Sequence, residues 1–343
     1  MKADSPSFSD SIPRAWVDST YALMPREVES LDKIVYNVIR HRRIADKYFP
    51  TIPVPRGTRN RKIAIAEEMY EPIFDDDFLT EDIEVAKKTE HTFYLAFMHK
   101  DFRLNMIDID ASRNSKYYNI SIEQLNLRET TKTIVDYRER VIWRGYDFLD
   151  KAKTAAGPQG LIDTQVQGII GATNGAGTEN SFAAAGDNAG INSAGDGPLS
   201  IGAAMASLIA DQYYGPYVFV MTPDVYGQLS QNFNSTTHIS DIERMMAMVD
   251  LHGQKILEGM DVSHYLINTA VGDSSNSYGS MLMFQRKTPE GEPTCIILEA
   301  YPVSHYPIQM SSLGIKGKVL WGGCAARLRD DAFTLETLID LVA

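Results

Sequence analysis

The chain has 343 residues, 44% of them hydrophobic, and a formal net charge of −12. That length and apolar content suit a globular protein with a large core, built as one elaborate domain or two to three simple ones. The acidic balance argues against a general nucleic-acid binder, because phosphate affinity comes from Lys and Arg displacing counterions, but it is compatible with a protein that merely contains nucleic acid.

In chain order, Met1 to Ser11 is polar and lacks the basic start and apolar core of a secretory signal, so a soluble, unsecreted product is expected. No stretch reaches the roughly 20 apolar residues needed to span a bilayer. Val28, Leu31, Val35, Val38 and Ile39 recur at helical spacing and predict a helix over Pro25 to Ala45. The segment from Asp46 to Arg61 then holds Pro50, Pro53, Pro55 and Gly57 among Arg56, Arg59 and Arg61, a density of prolines that predicts an extended arm.

From Lys62 to about Asp110 the pattern is strand-like: Ile63 and Ile65 alternate with Ala64 and Ala66, and Thr92, Tyr94, Ala96 and Met98 with Phe93, Leu95 and Phe97. The acidic run Asp75, Asp76, Asp77, Glu81, Asp82 and Glu84 lies between them, predicting a long two-stranded excursion with a charged, solvated tip. A long helix is expected from Ser121, where Ser121 and Gln124 form a capping-box pattern. The pairs Ile134/Val135, Val141/Ile142 and Phe148/Leu149 lay an apolar stripe along it, and it is expected to stop before Gly157-Pro158. Thirty-odd residues at about 1.5 Å each would make a spine of roughly 50 Å.

Gly157 to Gly202 is rich in Gly and Ala and reads as a loop or partly ordered insertion. An amphipathic helix is expected over Leu199 to Tyr214, then a buried strand at Tyr217-Val218-Phe219-Val220-Met221. Thr222 as N-cap and Pro223 at the first helical position predict a short helix to Gln231. Beyond Val262 the chain reads as strands joined by Gly, Ser and Pro turns, so the fold class is α+β. Cys295 and Cys324 make neither a disulfide framework nor a zinc site and are expected as buried thiols.

Catalytic signals are weak. Gly171-Ala172-Thr173-Asn174-Gly175-Ala176-Gly177-Thr178 lacks the Lys-Ser/Thr that completes a phosphate loop, and the seven histidines show no metal-ligand spacing. No Gly-x-Ser-x-Gly elbow occurs, and a pair of glycosidase carboxylates needs no fixed spacing that would reveal it. Met245, Met246 and Met248 read as core or interface packing. No catalytic, cofactor or metal residues are assigned, and no cofactor is expected.

The order of basic arm, hairpin excursion, spine helix, glycine-rich loop, strand-to-Pro-helix unit and terminal strands resembles the major capsid proteins of tailed phages and archaeal tailed viruses. These have the Hong Kong ninety-seven phage-type fold, shared by the encapsulins. Local matches are Arg42-Arg43-Ile44-Ala45-Asp46 through Phe49-Pro50, Tyr118 to Leu125, Arg144-Gly145, Val218 to Tyr226 and Leu257 to Val262, with Asp261 departing from the family's pattern. The resemblance implies an N-terminal arm over 1–61, an extended loop over 62–118, the spine helix of a peripheral domain over 119–159, an axial domain over 160–275 and peripheral strands over 276–343.

It further implies a structural shell protein, not an enzyme. Many copies would assemble through pentamers and hexamers into an icosahedral capsid around double-stranded DNA that is not specifically bound. Scaffold, portal or decoration proteins would be partners, membranes would not, and the product would sit in the virion after assembly in the host cytoplasm. The alternative on the same fold is an encapsulin-type nanocompartment enclosing a cargo enzyme, and outside it a soluble α+β enzyme. For subunit contacts, Arg40, Arg42, Arg43, Arg56, Arg59 and Arg61 of one copy are expected to meet Asp75, Asp76, Asp77, Glu81, Asp82 and Glu84 of the next. The plainer reading of that acidic run is a solvated face. A Lys to Asn cross-link from Lys87 or Lys88 to Asn268 has no support in spacing, and non-covalent assembly is the default.

Overall fold

In a computed structural model of the chain, residues 43–66, 88–105, 107–108, 122–145, 168–169, 195–233, 238–249, 253–266, 278–311, 314–329 and 331–340 are described. Described helices are α1 (Ala45–Tyr48), α2 (Ile122–Arg144), α3 (Asp196–Ala210), α4 (Pro223–Gln231) and α5 (Asp241–Met246). Described strands are β1 (Thr51–Pro53), β2 (Asn60–Ala66), β3 (Lys88–Tyr94), β4 (Ala96–Asn105), β5 (Tyr217–Met221), β6 (Leu257–Val262), β7 (Tyr278–Gln285), β8 (Cys295–Ser311), β9 (Gly314–Arg327) and β10 (Phe333–Asp340). The class is α+β, as expected.

The chain divides into two compact units, one formed by Met1–Arg43, Phe97–Tyr137 and Tyr301–Trp321, the other by Ile44–Ala96, Arg138–Ala300 and Gly322–Ala343. The second unit holds the main core. Its sheet has the order β10-β7-β5-β6, with β5 parallel to β6 and antiparallel to β7. All five residues of β5 are buried, which is why a continuous apolar run identifies it. The expected boundary at 275/276 runs between strands of this one sheet, since β7 and β10 follow it in the chain. Ile201, Ala204 and Leu208 of α3 and Val225 and Leu229 of α4 belong to the same core. Cys295 lies within it, and both cysteines are buried thiols outside any disulfide, with burial pushing the Cys324 thiol up to about 12.

A second sheet has the order β1-β8-β9-β4. In the larger unit, Thr51–Pro53 run parallel to Ile297–Glu299. In the smaller unit, Lys318 Nζ of β9 lies 3.5 Å from Asp101 of β4, and Phe97 meets Tyr301 edge-on at 5.7 Å. Phe102 covers Gly317 so closely that a Cβ there would lie 2.2 Å from the ring. Strands β2 and β3 form a separate antiparallel ribbon, Asn60 opposite Tyr94 and Lys62 opposite Thr92.

Three sequence expectations change. Helix α2 ends at Arg144, not near Gly157, because Gly145 takes φ +79° while its amide still donates to the Val141 carbonyl. At 23 residues it is about 35 Å long; Ser121, Phe148 and Leu149 lie outside the described residues. Helix α3 begins at Asp196, inside the stretch expected as loop, because Asp241 of α5 caps it from outside. Its carboxylate accepts from the Gly195 amide at 2.9 Å and the Gly197 amide at 3.4 Å. A Cβ on Gly197 would lie 2.7 Å from Leu229 Cδ2, so glycine permits this approach. Finally, Asp46 to Tyr48 complete a helical turn, and the chain becomes extended at Phe49, with strand pairing from Thr51.

Pro223 starts α4 as expected, but the Thr222 hydroxyl makes no cap; it accepts from the Ser280 amide at 3.3 Å instead. Met245 is buried, Met248 packs against the core and Met246 is exposed.

Candidate functional site

The β2–β3 ribbon and its approach form the first candidate surface. Arg56, Arg59 and Arg61 are exposed, and Arg59 and Arg61, two residues apart, share one face of the extended chain. Lys62 points to the other face and pairs with Glu90 at 3.1 Å, both well exposed. Lys88, Glu90, His91 and Thr92 are exposed as well, so the ribbon buries little beyond Phe93. An isolated two-stranded ribbon is marginal in water. Of the remaining residues expected at contacts, Arg43 precedes α1, while Arg40, Arg42, Asp75, Asp76, Asp77, Glu81, Asp82 and Glu84 lie outside the described residues. So do Lys87 and Asn268.

The second feature is a five-residue plug, Ala45 to Phe49, whose residues are held individually in the larger unit. Phe49 stacks on Phe284 at 5.0 Å and meets Trp143 edge-on at 6.4 Å, and Phe284 stacks on Phe333 at 5.4 Å. The plug is also pinned by charge. Arg138 of α2, fully buried, donates from Nη2 to Asp46 at 2.6 Å, from Nη1 to Glu139 at 3.1 Å and from Nε to Glu299 of β8 at 3.4 Å. The other Glu139 oxygen accepts from the Ala45 amide and the Trp143 indole, both at 3.2 Å. Burial raises the Glu139 carboxyl to about 6, against the lowering pull of Arg138 and the Ala45 amide.

This hub was missed in the sequence, although a signal exists. Val135, Arg138, Glu139 and Ile142 stand at i, i+3, i+4 and i+7, so the buried stripe of α2 runs through two charged residues. Charges on a buried stripe announce partners from elsewhere in the chain.

On the plug's other side, Lys47 Nζ lies 2.5 Å from Asp261 of β6, and the Tyr48 hydroxyl donates to the same carboxylate. Burial and Asp261 together push the Tyr48 hydroxyl pKa well up. Arg286, at the end of β7, donates to the Tyr48 carbonyl at 3.1 Å and to Glu258 at 2.5 Å. Asp261, the residue that departs from the capsid pattern, is therefore a clasp for the plug. These groups are ties between elements; among the described residues no cluster of three or more His, Cys, Asp or Glu is arranged to hold a metal. No described helix is long and apolar enough to cross a membrane.

No protein-family profile matches the chain, and no curated protein matches it in sequence. Solved structures do match it in fold. The virus-like particle from Pyrococcus furiosus is 10% identical with a TM-score of 0.53, over 90% of this chain and 98% of that one. The capsid of Myoviridae phage XM1 is 11% identical with a TM-score of 0.55, covering 86% of this chain and 91% of that one. A chain from Mycobacterium phage Ogopogo is 13% identical, also with a TM-score of 0.55, covering 86% and 92%.

Proposed function

We propose that this chain, which has the tailed-phage capsid fold, is a structural shell protein whose copies assemble through pentamers and hexamers into an icosahedral capsid around double-stranded DNA. The observation that carries the reading is the near full-length match to subunits of a capsid and a virus-like particle, spanning 86% and 90% of this chain. An elaborate fold kept over that length at about a tenth identity retains its architecture and not a local site.

The ribbon supports the same reading. A two-stranded element with both faces exposed gains stability by lying on another subunit, and the cations Arg56, Arg59 and Arg61 offer charge-assisted contacts to an acidic neighbour. In a shell such contacts are individually modest and act by repetition. The acidic balance suits a wall that does not adhere to its own genome. In this proposal 1–61 is the arm, 62–118 the extended loop, and 160–275 the part nearest the symmetry axes. Scaffold, portal and decoration proteins would be partners in a virion assembled in the host cytoplasm, and the shell itself would do no chemistry.

The test is electron microscopy of the purified protein, with absorbance at 260 and 280 nm on the same fraction. Uniform closed particles containing nucleic acid in a native preparation are expected. Particles packed with protein would favour a nanocompartment enclosing a cargo enzyme. Small oligomers that never close, under varied salt and with scaffold candidates added, would sink the shell reading and favour a soluble enzyme.

A further inference from the structure

Helix α3 has one charged residue, Asp196, in its first turn; the other fourteen of its 15 residues are uncharged. Its inner side, Ile201, Ala204 and Leu208, enters the core. Its outer side is Leu199, Gly202, Ala206, Ile209 and Ala210, which at 100° per residue fall within an arc of about 100°, while Ala203 beside them packs against the core. Leu199 is 63% exposed and Ile209 40%, Ala206 and Ala210 are also exposed, and a Cβ on Gly202 would meet nothing within 4 Å. A surface helix ordinarily turns charged or polar residues to water, and a helix that is apolar all round is ordinarily buried. This one is buried on one side only.

We infer that the outer face of α3 is a contact surface for a second copy of this chain. The inference rests on the shell reading and specifies one of its contacts. Charge argues for a like partner: copies carrying −12 each repel, and a face without charges lets two of them approach without desolvating like groups. Size argues for repetition over a stable pair. A helix of 15 residues is about 22 Å long and about 10 Å wide, giving a footprint of roughly 220 Å². A stable complex buries about 800 Å² on each partner, so this face contributes to a many-contact assembly and does not hold a dimer alone. The small residues Gly202, Ala206 and Ala210, four apart, lower the centre of the face so that a neighbouring backbone can come close, with Leu199 and Ile209 beside them.

Ala206→Cys in the full chain tests this, because Cys295 and Cys324 are buried and a thiol at 206 is the accessible one among the described residues. Particles and free subunits are separated by size and each is treated with a maleimide dye. The expected result is labelling at least tenfold slower in particles than in subunits. Equal, rapid labelling of both overturns the inference and leaves the shell reading standing. Slow labelling of both means that the subunit's own chain or a resident partner covers the face, which also overturns it. A chain that stays monomeric at every concentration overturns both readings. Ala206→Glu gives an independent readout: assembly is expected to need at least tenfold more protein, with an unchanged circular dichroism spectrum, and unchanged assembly would refute the contact.

Discussion

Glu139→Gln isolates the cost of burying a third carboxylate around Arg138. Burial raises the Glu139 carboxyl from 4.5 to about 6. At about 1.4 kcal/mol per pH unit, the ionised form is therefore disfavoured by about 2 kcal/mol in the folded state relative to the unfolded one. Between those two values the folded chain holds more proton than the unfolded chain, so this group's contribution to stability is largest below pH 4.5 and is lost as pH rises through 6. Glutamine does not titrate. Its oxygen can replace the acceptor of the Ala45 amide and Trp143 indole, but its NH₂ then faces Arg138 Nη1, donor against donor. The variant is accordingly less stable throughout. The assay is urea unfolding of both proteins, as dilute subunits, from pH 4 to 7. The stability of the native chain minus that of the variant should fall by about 2 kcal/mol across that interval. A difference that stays flat, or rises with pH, would refute an elevated Glu139.

Gly317→Ala should destabilise the subunit by about 2 kcal/mol, since its methyl overlaps the Phe102 ring, and Phe102→Leu in the same chain should recover part of that in thermal melts. Asp241→Ala should cost about 2–3 kcal/mol in urea unfolding, because it strips the part-buried Gly195 amide and the buried Gly197 amide at the start of α3 of their acceptor. Asp241→Asn, which keeps one acceptor oxygen, should cost less by the same measurement.

Where the chain writes its own structure locally, reading it in order works. A continuous run of Tyr, Val, Phe, Val and Met marks β5, Pro223 marks the first turn of α4, and the alternation on either side of the acidic run marks the β2–β3 ribbon. The apolar stripe likewise marks α2 through Ile142. Each depends on side-chain period or on a backbone preference carried by the residue itself.

The tertiary structure decides what depends on residues far apart. The stripe of α2 continues to Phe148 and Leu149, yet Gly145 at positive φ ends the helix. Asp196 begins α3 because an aspartate on α5 reaches the amides of Gly195 and Gly197, a partnership that no local window contains. The plug at Ala45 to Phe49 is fixed by Arg138, Glu139, Asp261 and Arg286, all more than 90 residues along. The sequence by itself therefore determines the elements, through periodicity and turn chemistry. Only the tertiary structure decides where they stop and what pins them, because a buried charge or an uncapped amide is satisfied by whichever group the fold brings to it.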